Sequence, residues 1–167
     1  MLREKTCTFT GNRPHKLPWI EDESDYRCVA VKIRIDQAVE AAIARGYDTF
    51  ICGMAQGGDT YFAESVIKMK KWYSIRLVCA IPCPDQTKGW SSEDVDRYYG
   101  ILENADEQVV LSDHYSRYCM HKRNRFMVDN SSMILVMDYS DDGGTTSTRA
   151  YAQKAGIEIV ELGSCTK

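Results

Sequence analysis

Six short apolar runs alternating with five helix-patterned segments predict an α/β fold, a Rossmann-like three-layer sandwich with a mostly parallel sheet. Two further observations point the same way. Many of the runs stop at Gly, Pro, Ser or Asp, where a strand would turn. Strands separated by helices also imply right-handed βαβ crossovers, which set parallel neighbours in one sheet and cover both of its faces.

The apolar runs place strands at 7–10, 49–52, 76–81, 108–111, 133–137 and 157–162. Between the first two, Val31, Ile35, Val39 and Ala42 recur at helical spacing, and the helix ends at Arg45-Gly46, a basic last turn followed by a C-cap glycine. Phe62, Ala63, Val66 and Ile67 form a second stripe. Ser91, Ser92, Glu93 and Asp94 open a third helix, since acidic groups suit the positive end of the helix dipole. Met120, Met127 and Val128 mark a fourth, and a fifth spans 145–155 with Gly156 as its stop. By default these stripes are core faces.

With 167 residues, no internal repeat and no linker, the chain reads as one domain over 1–167. No apolar run is long enough for a bilayer, and the charged opening Met1 to Lys5 has no signal-peptide pattern. Seven cysteines, with Cys52 and Cys79 inside apolar runs, suggest reduced core thiols of a cytoplasmic protein rather than a disulfide framework. The pairs Cys79 with Cys83 and Cys119 with His121 lack the two close pairs of a structural zinc site, so no metal and no cofactor are expected. A net charge of −3 offers no global attraction to nucleic acid. The local patch Lys122, Arg123 and Arg125 suits a small phosphate-bearing ligand instead.

In sheets of this kind ligands collect beyond the carboxyl ends of strands, where helix N-termini present free N–H groups. Three loops there carry the right residues. Thr10-Gly11-Asn12-Arg13-Pro14 combines a tight turn with a bidentate donor. Gly53-Met54-Ala55-Gln56-Gly57-Gly58-Asp59 allows close backbone approach, with Glu64 a turn later. Asp59 reads either as an N-cap or as a ligand contact. Asp138 and Asp141-Asp142-Gly143-Gly144-Thr145-Thr146-Ser147-Thr148 put a diglycine and hydroxyls at a helix start, a phosphate-binding pattern. The aspartates do not have calcium-loop spacing. Arg123-Asn124-Arg125 approaches the same region from a neighbouring helix. Each motif alone is ordinary, and their coincidence points to an anionic-ligand site.

These motifs resemble the YpsA-like branch of the SLOG superfamily. The marks are the Thr10 to Pro14 and Gly53 to Asp59 loops with Ala63-Glu64, then Ile81-Pro82-Cys83 with Gln86 and Trp90. After them come Arg123 to Asp129, and Gly143-Gly144-Thr145 with Thr148, Tyr151 and Ala152. The resemblance implies a Rossmann-like fold and a nucleotide-derived ligand. Two related groups imply different uses. The Gly53 to Asp59 loop and Arg123-Asn124-Arg125 resemble DNA-processing protein A, whose family binds single-stranded DNA. Met120 to Arg123 and the diglycine loop resemble the Lonely Guy enzymes, which cleave the N-glycosidic bond of cytokinin nucleotides. Those enzymes follow their glycine and threonine with a catalytic glutamate, whereas Thr146, Ser147 and Thr148 follow Thr145 here.

The reading that follows is a binding protein that senses, carries or sequesters an ADP-ribose-like or other nucleotide-derived molecule, without catalytic residues. Its ligand-binding set is Thr10, Gly11, Asn12, Arg13, Gly53, Met54, Ala55, Gly57, Asp59, Glu64, Pro82, Cys83, Gln86, Trp90, Arg123, Asn124, Asp129, Gly143, Gly144, Thr145 and Thr148. Glycine backbones would meet phosphates, Arg13 and Arg123 would supply charge, and Asp59 or Glu64 would take ribose hydroxyls. Trp90 and Tyr151 are candidates for stacking a base. The alternatives are a nucleotide N-glycosidase and a single-stranded DNA binder. Partners are a nucleotide-like small molecule and, with the oligomeric state open, further copies of the chain; no membrane is expected.

Overall fold

The computed structural model describes residues 1–164, so Cys165 lies outside them. In chain order the elements are β1 (Thr6–Gly11), α1 (Tyr26–Ala44), β2 (Thr49–Cys52), α2 (Gly58–Met69), β3 (Arg76–Ile81) and α3 (Ser92–Glu103). There follow β4 (Glu107–Val110), α4 (Cys119–Asp129), β5 (Met133–Asp138), α5 (Gly143–Ala155) and β6 (Glu158–Ser164). The strands form one sheet in the order β4-β3-β2-β1-β5-β6. Every pairing is parallel.

Alternation along the central strands sorts side chains between two helical layers. Cys7, Phe9, Leu135 and Met137 face α1, α2 and α3 in the larger core, which includes Val31, Ile35, Phe62, Val66 and Ile101. Ile134 and Val136 face Val128 of α4 and Ala152 of α5, while Ile51, Val78 and Ala80 pack on Met127 of α4. That is the three-layer arrangement expected from the apolar pattern. No helix among the described residues is long and apolar enough to cross a membrane.

Strands β1 and β5 extend the expected spans by a residue at their ends, and β4 and β6 differ in ways that show their place in the sheet. Strand β4 starts and ends one residue before the predicted run, and it alternates half-buried with exposed positions. It is an edge strand, with β3 alone beside it. Strand β6 is bulged against β5: Val136 pairs with Glu161, but Met137 pairs with Gly163, so Leu162 is the extra residue. The fifth helix begins at Gly143, two residues before the expected start.

At the centre, the Phe9 and Phe62 rings stack with centroids 5.0 Å apart, which presses α2 against β1. The contact is close because two glycines meet there. A Cβ on Gly11 would lie 2.6 Å from the Phe9 ring and 3.2 Å from the Gly58 Cα. Gly58 N–H also donates to the Asn12 carbonyl at 3.1 Å, stitching the first turn of α2 to the end of β1.

Gly11→Ala should therefore destabilise the fold by about 1–3 kcal/mol, the usual cost of overpacking a locked core contact. For a chain of this size that lowers the melting temperature by roughly 2–4 °C per kcal/mol. An unchanged midpoint in thermal unfolding would show that α2 can slide away from β1 freely.

Candidate functional site

The strand order reverses at β1: the chain builds outward through β2, β3 and β4, then crosses back to place β5 and β6 on the other side. Such a switch point splays the loops that leave neighbouring strands and opens a crevice beyond their carboxyl ends. A cleft of about 340 Å³ lies there. Its walls include Thr10, Gly11, Asn12 and Arg13 after β1, Ala55 and Asp59 around the start of α2, Arg123 and Asn124 of α4, and Gly144 and Thr145 of α5. Ten residues that the sequence scatters over three loops and a helix thus share one cavity.

The helix ends are treated unequally. Asp25 and Ser91 cap α1 and α3 through their side chains. The N-cap residues of α2, α4 and α5, namely Gly57, Tyr118 and Asp142, make no side-chain cap. Those three helices are the ones whose first turns reach the cleft, through Asp59, Met120 and Thr145. An uncapped N-terminus leaves N–H donors and the positive end of the dipole to whatever lies in front.

The hydroxyls show the same asymmetry. Thr6, Thr8 and Thr10 lie on one face of β1, all buried. Thr6 and Thr8 donate to the carbonyls of Leu2 and Ile51, at 2.7 and 2.9 Å. Thr10, at the carboxyl end, has no side-chain partner among the described residues, and neither does Thr145, which is 7% exposed. Each lines the cleft.

Arg123 is 5% exposed. Its Nη1 donates to the Gly53 carbonyl and its Nε to Asn124 Oδ1 at 2.8 Å, leaving Nη2 without a partner among the described residues. Burial lowers its affinity for a proton, against the opposing pull of Asp59. The carboxyl of Asp59 is pushed up by burial, and Arg123, the Ala55 N–H and Arg13 work the other way. A Cβ on Gly53 would stand about 3 Å from both Asp59 Oδ2 and the Arg123 guanidinium carbon, so only glycine leaves room for the two groups. Arg123 is therefore part of the scaffold as well as the wall. Arg13, in contrast, is exposed and makes no side-chain bond among the described residues.

Asp59 is not the N-cap of α2, since Gly57 holds that place with φ 81°. Its Oδ2 instead accepts from the Ala55 N–H at 3.1 Å, which folds the glycine loop over the helix start. Asn12 ties the site together from below: its Nδ2 donates to Asp138 Oδ1 and Ser140 Oγ, and its Oδ1 accepts from Tyr139 N–H at 2.6 Å. Gln86 is a similar brace, donating to the Gly53 carbonyl and accepting from the Tyr98 hydroxyl.

Other members of the predicted set fall elsewhere. Met54, Gly57 and Trp90 line a neighbouring cleft that also includes Asp59. Pro82 and Cys83 are buried after β3, and burial pushes the Cys83 thiol up to about 11. Gly143, with φ 87°, sits against Lys16. Thr148 donates to the Gly144 carbonyl one turn back. Glu64 is held by Arg97, at 2.5 and 2.9 Å, on the side of α2. Asp129 ends α4 outside the cleft lining and accepts from Tyr151, whose ring lies under Arg125.

Lys16, a basic residue of the first loop outside the predicted set, also lines the cleft and pairs with Asp142 at 3.0 Å. Among the described residues no group of three His, Cys, Asp or Glu could hold a metal ion.

The family model described as the YspA SLOG family matches residues 7–159. A UPF0398 protein of Halalkalibacterium halodurans is 27% identical over 146 residues, 86% of this chain and 77% of that protein. The SPbeta prophage-derived protein YoqJ of Bacillus subtilis is 30% identical over 118 residues, 63% of this chain and 69% of that protein. The X-ray structure of DNA processing protein A from Streptococcus pneumoniae superposes with a TM-score of 0.63 over 95% of this chain, at 13% identity. This chain spans 50% of that protein's length, and the likeness is one of fold.

The displaced Glu64 yields a test. Arg97 bridges it to Glu23 of the segment before α1, and Glu23 is held down to about 2, chiefly by its hydrogen bonds from Arg97. A lowered carboxyl contributes stability that is complete above its ordinary value of 4.5 and is lost as pH falls toward 2. Glu23→Gln should thus flatten the loss of stability between those limits. Because the pair is about one-third exposed, the change at neutral pH should be under about 1 kcal/mol. Acid unfolding curves that coincide for the parent and the variant would remove this bridge from the stability of the fold.

Proposed function

The chain belongs to the YspA SLOG family, and from that premise and the chemistry of the cleft we propose that it binds a nucleotide-derived small molecule through its phosphate groups. One observation carries the reading: three helix N-termini without side-chain caps, two hydroxyls without a side-chain partner among the described residues and the free edge of a buried guanidinium line the same cavity. All of these are donors or positive ends, and for Thr10, Thr145 and Arg123 burial makes it costly to leave them unpaired. A phosphate supplies several acceptor oxygens and the opposite charge in one group. Arg13 lines the same cleft as an exposed counter-charge. An ADP-ribose-like compound is the leading candidate.

Binding rather than turnover is favoured by what occupies the carboxylate position of the Lonely Guy pattern. Thr148 uses its hydroxyl within the helix, and Thr146 donates to Asp138 Oδ2 at 2.7 Å. An N-glycosidase needs negative charge beside the developing sugar cation. Glu64, spent on Arg97, is turned away.

A saturating nucleotide should raise stability by about 2.7 kcal/mol at a hundredfold excess over its Kd, read as an upward thermal shift with ADP-ribose, NAD, AMP or ADP. Arg13→Ala should weaken that binding by about 1.5–3 kcal/mol, the value of a charged hydrogen bond, with unchanged melting of the free protein. Arg123→Ala should lower both, because it also strands the Gly53 carbonyl and Asp59. If no nucleotide moves the midpoint at millimolar concentration, the cleft does not serve this purpose.

Free adenine from AMP and free nicotinamide from NAD should stay at background when followed by chromatography under saturating conditions. Turnover that disappears in Asp59→Asn would replace the binder by a hydrolase whose carboxylate sits on the second loop.

A further inference from the structure

Lys16 and Asp142 meet where the cleft touches the start of α5. Lys16 closes the single 3-10 turn over Pro14–Lys16 that follows β1. Its Nζ donates to Asp142 Oδ1 at 3.0 Å and to the Asp142 carbonyl at 3.3 Å. Both residues line the cleft together with Gly144 and Thr145. The seat is shaped for the ammonium: Gly143 has φ 87°, and a Cβ there would collide with Lys16 Nζ. An alanine at this position would be strained by its backbone and obstructed by the lysine at once.

Two features of the pair run against ordinary preference. A cation stands at the N-terminal end of a helix, where the dipole favours anions. Asp142 is the N-cap residue of α5 and of a type that usually caps, yet its side chain makes no cap. The carboxylate is given to Lys16 instead, and the first-turn N–H groups of α5 are left without a side-chain acceptor from it. An exposed ion pair contributes little by itself, and the Asp142 side chain is 82% exposed. The pair is thus a weak stabiliser of the fold and a readily exchanged one.

A phosphate is the better partner for this spot. Its several oxygens can accept from Lys16 Nζ, from the start of α5 and from the Thr145 hydroxyl in one group, whereas the Asp142 carboxylate serves the ammonium and no cap. The helix start is not the only donor present. Thr145 and Thr10, both more than nine-tenths buried, line the same cleft with no side-chain partner among the described residues. Buried hydroxyls facing a cavity call for an acceptor from whatever enters it.

We infer that Lys16 anchors one phosphate of the ligand and that Asp142 is its internal competitor: the incoming phosphate takes over the ammonium, and the exposed carboxylate is released to solvent. The pair is then a latch across the diglycine turn, which lowers affinity for every anion and yields to a phosphate that gains the α5 donors as well. This accounts for a carboxylate in the wall of an anion site. The inference rests on the phosphate reading of the cleft and adds to it a binding residue and a built-in control of affinity.

The test is calorimetric titration of the whole protein with ADP in four forms: the parent, Asp142→Ala, Lys16→Met and the double variant. Asp142→Ala should bind ADP about two- to fivefold more tightly than the parent, the equilibrium equivalent of losing one exposed ion pair. Lys16→Met should bind it at least about tenfold more weakly. In the Lys16→Met background the gain from Asp142→Ala should shrink by at least about half, because no ammonium remains to be released. Melting without ADP should stay within about 4 °C of the parent, since the pair is exposed and the Asp142 side chain caps nothing. Unchanged or weaker binding by Asp142→Ala would overturn the latch, and so would an equal gain in both backgrounds, which would reduce Asp142 to simple repulsion. Undiminished binding by Lys16→Met would overturn the anchor. Failure of the parent and Asp142→Ala alike to bind ADP would overturn the phosphate reading itself.

Discussion

Gly11 and Gly58 touch back to back at the end of β1, and the geometry of the whole upper edge of the sheet depends on that contact. With hydrogen in place of a side chain on both, the first turn of α2 can sit against the strand while its N–H is accepted by Asn12. Asn12 then reaches across to Asp138, Tyr139 and Ser140, so the loop after β1 fixes the loop after β5. Three helix starts are thereby aimed at one crevice. A bulkier pair would separate the loops and disperse the donors that make the crevice distinctive.

The buried charges at Gly53 show how the fold tolerates a polar site inside its own core. Arg123 and Asp59 approach the same glycine from two sides, each desolvated, each partly compensated by the other and by backbone groups. Such an arrangement is poor evidence for stability, because burying ions costs several kcal/mol before their attraction is counted. Holding the glycine loop in one shape is a better account. Gln86, like Arg123, donates to the Gly53 carbonyl, and Gln56 ties the loop to α3.

The two neighbouring clefts share the uncapped start of α2 and differ in the other helices that wall them. Beside the capped start of α3 the lining adds Glu93 and Asp94; beside the uncapped starts of α4 and α5 it adds Arg123, Asn124 and Thr145. The ion pairs joining Arg97 to Glu23 and Glu64 form part of the wall of the cleft beside α3 and couple α2, α3 and the approach to α1.

Much of this was written in the order of residues. Apolar runs of four to six, separated by stripes at helical spacing, determine strands, helices and their layers, because burying those faces leaves few alternatives to a covered parallel sheet. Glycine and threonine at the strand ends marked Thr10, Gly11, Arg13, Gly144 and Thr145, whose backbone freedom and hydroxyls are local properties. What a side chain bonds to is not local. Glu64 reads as a ligand carboxylate until Arg97, thirty-three residues later, packs beside it. Asp129 and Tyr151 share motifs with site residues yet bond to each other outside the lining of the crevice. The bulge at Leu162, the double role of Arg123 and the joining of two clefts at Asp59 arise only when distant strands settle their register, since each depends on distances that no spacing along the chain encodes.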